Sequence, residues 1–198
     1  YRLDEGCACP DVPCEDENSV ETCYYNTWSN EHKKGTKAYE SHHGTKQYWH
    51  SMAPTGNHTN QQIVDLIVLQ AKEWFKKGLE TKVKDGFFNK GDDGLFHIGK
   101  LLHMVQDSYS LSHVYRDSNN RIIQFQGYED QDADKHGTPD KDDGAKGVQD
   151  AFVASTWILS SYKQAKSYTD VKPEVFLPVL EKYLRTEVYV LAPNRGKV

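Results

Sequence analysis

The chain has 198 residues, 37% hydrophobic and 27% charged, with a mean hydropathy of -0.79; that places it on the polar side of the globular range, short of the disordered regime and long enough to bury a core. A net charge of -5 and a pI near 6.0 exclude a protein that holds nucleic acid mainly through a broad basic surface, though not a nuclease whose metals meet the phosphate. The longest apolar stretches, such as residues 63–69, are cut by polar residues well short of the ~18–20 that a bilayer span needs, which excludes a transmembrane segment.

The first residue is Tyr1 rather than Met, as expected of a processed protein or of part of a longer one, with no signal peptide left to read. Residues 1–58 are rich in Gly, Asn, Ser, Tyr and Cys without a sustained helical period, which predicts a loop-rich, stapled N-terminal segment. All four cysteines, Cys7, Cys9, Cys14 and Cys23, lie in it. Their spacing lacks the paired hairpins of a zinc finger. An even, clustered number points to two disulfides, with a metal cluster or free thiols as the alternatives. Disulfides imply a secreted or extracytoplasmic protein, in which Asn57-His58-Thr59 is a legal glycosylation acceptor if the host is eukaryotic.

The first clear helix follows. Thr59 and Gln62 stand at capping-box spacing, and Ile63, Ile67, Ala71 and Trp74 recur at helical steps, so this helix should run to about Gly78. Asp85-Gly86 and Asp92-Asp93-Gly94 then break the chain. A second helix is predicted from Asp93 or Gly94 to between Tyr109 and His113, with an apolar stripe of Ile98, Leu101, Leu102 and Val105. Residues 115–143 read as a long acidic loop, and strand signals are few, limited to short pieces such as Arg121–Phe125. The helical period returns from Ala145 through Val148, Phe152, Leu159 and Tyr162, and Pro173 opens a last helix whose buried face is predicted from Val175, Val179, Leu180 and Tyr183, with a kink at Pro178. No internal repeat is visible. The fold class expected is all-α: one multi-helix domain over residues 1–198, with a cysteine-containing segment (1–58), a helical core (59–192) and long irregular loops.

Chemistry concentrates in Leu101-Leu102-His103-Met104-Val105-Gln106-Asp107-Ser108-Tyr109-Ser110-Leu111-Ser112-His113. His103 and Asp107 stand one turn apart on one helix face, away from the apolar stripe. His113 lies too far round to share that face. His103 and Asp107 could hold one ion while Asp107 and His113 approach a second, provided the helix bends or ends between them. An isolated pair at this spacing is more often an ordinary surface His–Asp contact. Here, however, His136 and Asp140 repeat the spacing in the acidic loop, and His50 precedes the first helix. Four histidines and two aspartates are the nitrogen and oxygen mixture that zinc accepts. His42 and His43, close to His50, offer one further candidate ligand, while His32, His58 and His97 read as ordinary. Asp130, Asp132 and Asp134 lack the glycine and terminal glutamate of an EF-hand.

The order His50, His103-x3-Asp107-x5-His113, His136-x3-Asp140 on a helical background resembles the zinc-dependent phospholipase C and single-strand nuclease superfamily, over residues ~40–165. The resemblance implies a phosphodiesterase site with two or three zinc ions. Carried over by position, His50, His103 and Asp107 help bind one zinc, His113, His136 and Asp140 a second, and Asp107, the catalytic carboxylate, also reaches a third. The chain departs from the family where an N-terminal tryptophan and an early aspartate are expected: Tyr1 stands at the start and the nearest acid is Glu40. Glu40, His42, His43 and Tyr1 are therefore the candidates for the general base and the third-metal ligands. The Ser-Tyr-Ser-Leu-Ser-His ending of the central motif looks more like phospholipase C relatives than like the nucleases. The expected activity is hydrolysis of phospholipid head groups by a metal-activated water, with peripheral membrane contact and a plausible role as an exported toxin or effector. The alternatives are a single-strand nuclease with the same site and a non-catalytic, zinc-stabilised binding module, whose ion would be closed by four protein ligands.

Overall fold

A computed structural model describes residues 2–9, 33–81, 84–85, 90–91, 93–131, 146–167 and 172–193. These residues are mainly helical. In chain order they form α1 (Arg2–Ala8), α2 (Lys37–His42), a 3-10 turn (Gln47–His50), α3 (Asn60–Glu80), the ribbon β1 (Lys84–Asp85) and β2 (Lys90–Gly91), α4 (Gly94–Asp107), the hairpin β3 (Val114–Arg116) and β4 (Ile122–Phe125), α5 (Lys146–Lys166), and α6 (Pro173–Tyr183), which runs into a π-helical turn (Leu184–Val188). No described helix is long and apolar enough to cross a membrane.

Helix α3 begins where its capping box predicts: Thr59 Oγ1 accepts from the Gln62 backbone N–H at 3.2 Å, and Gln62 Oε1 accepts from that of Thr59 at 2.8 Å. Its predicted stripe, Ile63, Ile67, Ala71 and Trp74, is buried. So is that of α4, where Ile98, Leu101, Leu102 and Val105 join Met104 in one core shared with α3, α5 and the chain after α6. Two tryptophans, Trp49 and Trp74, meet within that core with ring centroids 5.7 Å apart.

Four expectations need correction. The N-terminal segment contains two short helices where loop is predicted. Seven residues are too few to be helical alone; α1 is held by packing along α4, where a Cβ on Gly99 would come within 2.3 Å of Leu3 O and 2.6 Å of Cys7 N. The two backbones can touch because Gly6 and Gly99 meet at the crossing. The acidic loop begins with structure: β3 pairs antiparallel with β4, Val114 opposite Phe125, with an irregularity between Tyr115 and Arg116. In α5 the buried face is Ala154, Ser155, Ile158, Tyr162 and Ala165, and Phe152 stands 71% exposed. Small residues give a weak hydrophobic signal yet allow close helix packing. In α6, Val175 and Val179 are exposed, and the core is met by Leu180, Leu184 and Val188 at four-residue steps.

Cys7 is half-buried, Cys9 is buried, and both are free thiols. Cys14 and Cys23, the other two cysteines of the expected disulfides, lie outside the described residues.

Candidate metal centre

Helix α4 carries the first two groups. Its last turn presents His103 and Asp107 on one face, and the helix stops at Asp107, which meets the condition that the spacing imposes on His113. Arg116 from β3 caps the stop: its guanidinium donates to Ser108 O through Nε at 3.1 Å and Nη2 at 3.0 Å, and to Asn120 O through Nη1 at 2.9 Å. A cation at a helix C-terminus also opposes the negative end of the macrodipole. The chain then turns through Ser110, whose backbone carbonyl accepts from the His113 N–H at 3.2 Å. The turn brings His113 Nδ1 to 3.7 Å from Asp107 Oδ2.

His50 arrives from the 3-10 turn. Ser51, just after it, has φ 52°, a left-handed conformation that costs a non-glycine residue about 1–2 kcal/mol. Its buried hydroxyl donates to Met104 O at 2.5 Å and meets Tyr189 Oη at 2.8 Å. These bonds offset the strain and lock the His50 turn onto α4 one residue from His103. The Ala53 N–H donates to Gln126 O at 2.8 Å and the Gln126 N–H to His113 O at 2.9 Å, so the segments bearing His50 and His113 are tied to each other through the end of β4.

The result is a close triangle. His50 Nδ1 and His103 Nε2 each lie 3.0 Å from Asp107 Oδ2 and 3.1 Å from one another. A single proton can bridge only two of these three atoms, whereas one cation can serve all three. Four ligands about 2.0–2.1 Å from a tetrahedral zinc stand about 3.3 Å apart, close to the edges observed. The donor set and its size therefore fit a metal ion. Burial raises the Asp107 pKa, but the charges of His103 and His113 and the hydrogen bonds from His103 and His50 outweigh it, holding the carboxyl far below the usual carboxylate range. Asp107 is ionised at any pH at which imidazoles are neutral enough to ligate.

The other predicted groups are placed as follows. His136, Asp140 and Tyr1 lie outside the described residues. Glu40 turns to Thr45, accepting from its backbone N–H and its hydroxyl, each at 2.9 Å, and those bonds lower its pKa. His42 sits 4.9 Å from His50 between ring centroids, with its Nδ1 3.0 Å from Ala38 O; this orients Nε2 as the ring's other polar atom. His43 packs edge-on against Tyr128 at 4.8 Å. Sequence spacing missed the positioning residues Ser51, Arg116, Gln126 and Tyr189, because each acts through a backbone carbonyl that only the fold brings near.

Asp107 also lines a groove of about 610 Å³ between the turn after α4 and the first turns of α5. Compared with family models, curated proteins and solved structures, the chain has no match.

Proposed function

We propose that the chain is a zinc-dependent phosphodiester hydrolase of the phospholipase C type, a divergent member of the superfamily its central motif resembles. The convergence of His50 Nδ1, His103 Nε2 and Asp107 Oδ2 within 3.1 Å carries the reading, because His50 reaches the His103–Asp107 pair of α4 from a segment far away in sequence, in the motif's order. On this reading the three hold one zinc, and His113, with His136 and Asp140, holds a second. Zinc at such a site polarises a phosphoryl oxygen and lowers the pKa of a bound water toward neutrality.

The chain's own residues do the remaining work. Asp107 stays ionised and offers one oxygen to His50, His103 and, at 3.7 Å, His113, so one carboxylate organises the whole centre. His50 is held in register by the Ser51–Met104–Tyr189 bonds, which fixes the ring nitrogen that faces the centre. The groove at Asp107 receives the substrate, and its apolar walls favour a phospholipid over a nucleic-acid strand. Hydrolysis on the glycerol side would release diacylglycerol and a phosphorylated head group.

Elemental analysis of wild type and His103→Ala, with hydrolysis of a phosphatidylcholine analogue and of single-stranded DNA assayed alongside, tests the proposal. The expected result is two or more zinc ions per chain and lipid turnover, with zinc lost and activity reduced about a thousand-fold or more in the variant. Turnover that persists in metal-free protein, or a wild type that binds no metal, overturns it. DNA hydrolysis without lipid hydrolysis keeps the centre and moves the chain to the nuclease branch.

A further inference from the structure

Helix α6 has two unlike sides. On one, Leu180 is buried, and Glu181 accepts from Lys72 of α3 at 2.6 Å and from Arg185 at 3.1 Å. The other carries Val175, Pro178, Val179 and Lys182, which follow the three- and four-residue steps of one helix face, with Glu174 at its edge; all five are exposed. Val175 stands 62% and Val179 53% exposed.

The helix itself gains nothing from these residues. Valine is a mediocre helix former where no packing rewards it. Pro178, inside the helix, has no N–H to give to the carbonyl of Glu174 four residues earlier, so that carbonyl lacks its usual helical donor. The charges are also left over: where Glu181 is paired twice, Glu174 and Lys182 enter no ion pair among the described residues.

The arrangement is self-complementary. Pro178 is midway between Glu174 and Lys182, which lie roughly 12 Å apart along the axis. A second copy of α6, laid antiparallel about a two-fold axis at Pro178, sets Glu174 against Lys182 at both ends and leaves Val175, Pro178 and Val179 of both helices between them. Three N–H donors on the lysine ammonium suffice for the Glu174 carboxylate and for the carbonyl that Pro178 leaves open. A parallel pairing would set glutamate against glutamate and lysine against lysine, so the charges select the antiparallel one.

We infer that the outer face of α6 is a self-association surface, on which two copies of the chain pair antiparallel through Val175 and Val179 and through reciprocal Glu174–Lys182 bridges. A face only a few turns long makes a weak dimer. The inference rests on α6 alone and is independent of the metal centre and of the proposed activity.

Sedimentation equilibrium of the full chain up to about 500 µM tests this in wild type, Glu174→Lys, Lys182→Glu, the double exchange of both, and Val179→Ser, with a urea midpoint measured on each. The wild type should dimerise with a Kd on the order of 100 µM. Each single reversal sets like charges together at both ends of the pair and should weaken the dimer about ten-fold or more. The double exchange restores opposite charges and should return the Kd to within about three-fold of wild type, while Val179→Ser should weaken it about five-fold. The urea midpoints should not move, because every substituted side chain is exposed. A wild type that stays monomeric, a dimer indifferent to the single reversals, or a double exchange as weak as either reversal alone, overturns the inference.

Discussion

Helix α4 and the first half of α5 carry apolar residues at the same spacing and meet opposite fates. In α4 the stripe Ile98, Leu101, Leu102 and Val105 is buried, and the helix is covered by α1, α3 and α5 at once. In α5 the stripe through Val148 and Phe152 faces a groove, and the core is reached one step round the helix by Ala154, Ile158 and Tyr162. Periodicity thus identifies a face that avoids water; it does not say what will cover that face. In α4 the cover is the rest of the protein. In α5, on the proposed reading, it is a ligand, which agrees with the general tendency of sequence reasoning to fail where a site has claimed the residues.

The sharpest way to break that comparison is a large-to-small change in each helix. Leu101 is 0% exposed, and Leu101→Ala should cost about 3 kcal/mol through lost transfer energy and the cavity left behind. Urea denaturation should show a lower midpoint with an unchanged slope. A cost under about 1 kcal/mol would mean that α4 is not packed as described.

How much of this was legible in sequence follows from how local each signal is. The start of α3 was, because Thr59 and Gln62 are three residues apart and bond to each other. The His103–Asp107 pair was, because one helical turn brings it together. The approach of His50 from 53 residues earlier was legible only through the order of the motif. Helix α1 was not, since its stability comes from the crossing of Gly6 with Gly99, distant in sequence and without side chains to signal the contact. Nor was β3, three residues long and half-polar, which exists because β4 lies beside it. Ser51 and Tyr189 could not be read at all: their partners are a carbonyl of α4 and each other, 138 residues apart.

The packing of α1 on α4 has its own titration. Burial, reinforced by the Asp4 carboxylate, pushes the Cys7 thiol up from 9.0 to about 11. The folded chain therefore keeps this proton where the unfolded chain loses it, and the stability that Cys7 contributes is fully present below pH 9.0 and is lost as pH rises through about 11. In a chain whose other cysteines are serine, iodoacetamide at pH 9 should modify Cys7 about fifty-fold more slowly in the native state than in urea, from the difference in thiolate fraction. Equal rates would mean that α1 does not hold the thiol against α4.

The smallest expected effect is the most informative about α5. Phe152 has the largest apolar side chain on its predicted stripe, and by periodicity alone Phe152→Ala should cost as much as a core phenylalanine, about 3–5 kcal/mol. By position it should cost almost nothing, because a side chain 71% exposed has little burial to lose, and alanine is the better helix former by a few tenths of a kcal/mol. The expected change in unfolding free energy is within about 0.5 kcal/mol of zero, read from the same urea transition as Leu101→Ala. A loss of several kcal/mol would place Phe152 in the core, return α5 to the pattern of α4 and take Phe152 out of the groove lining. A neutral result would leave a large aromatic side chain that the fold does not need for its stability, lining the same groove as Leu111 and Asp107. A residue placed so is spared by folding and available to binding.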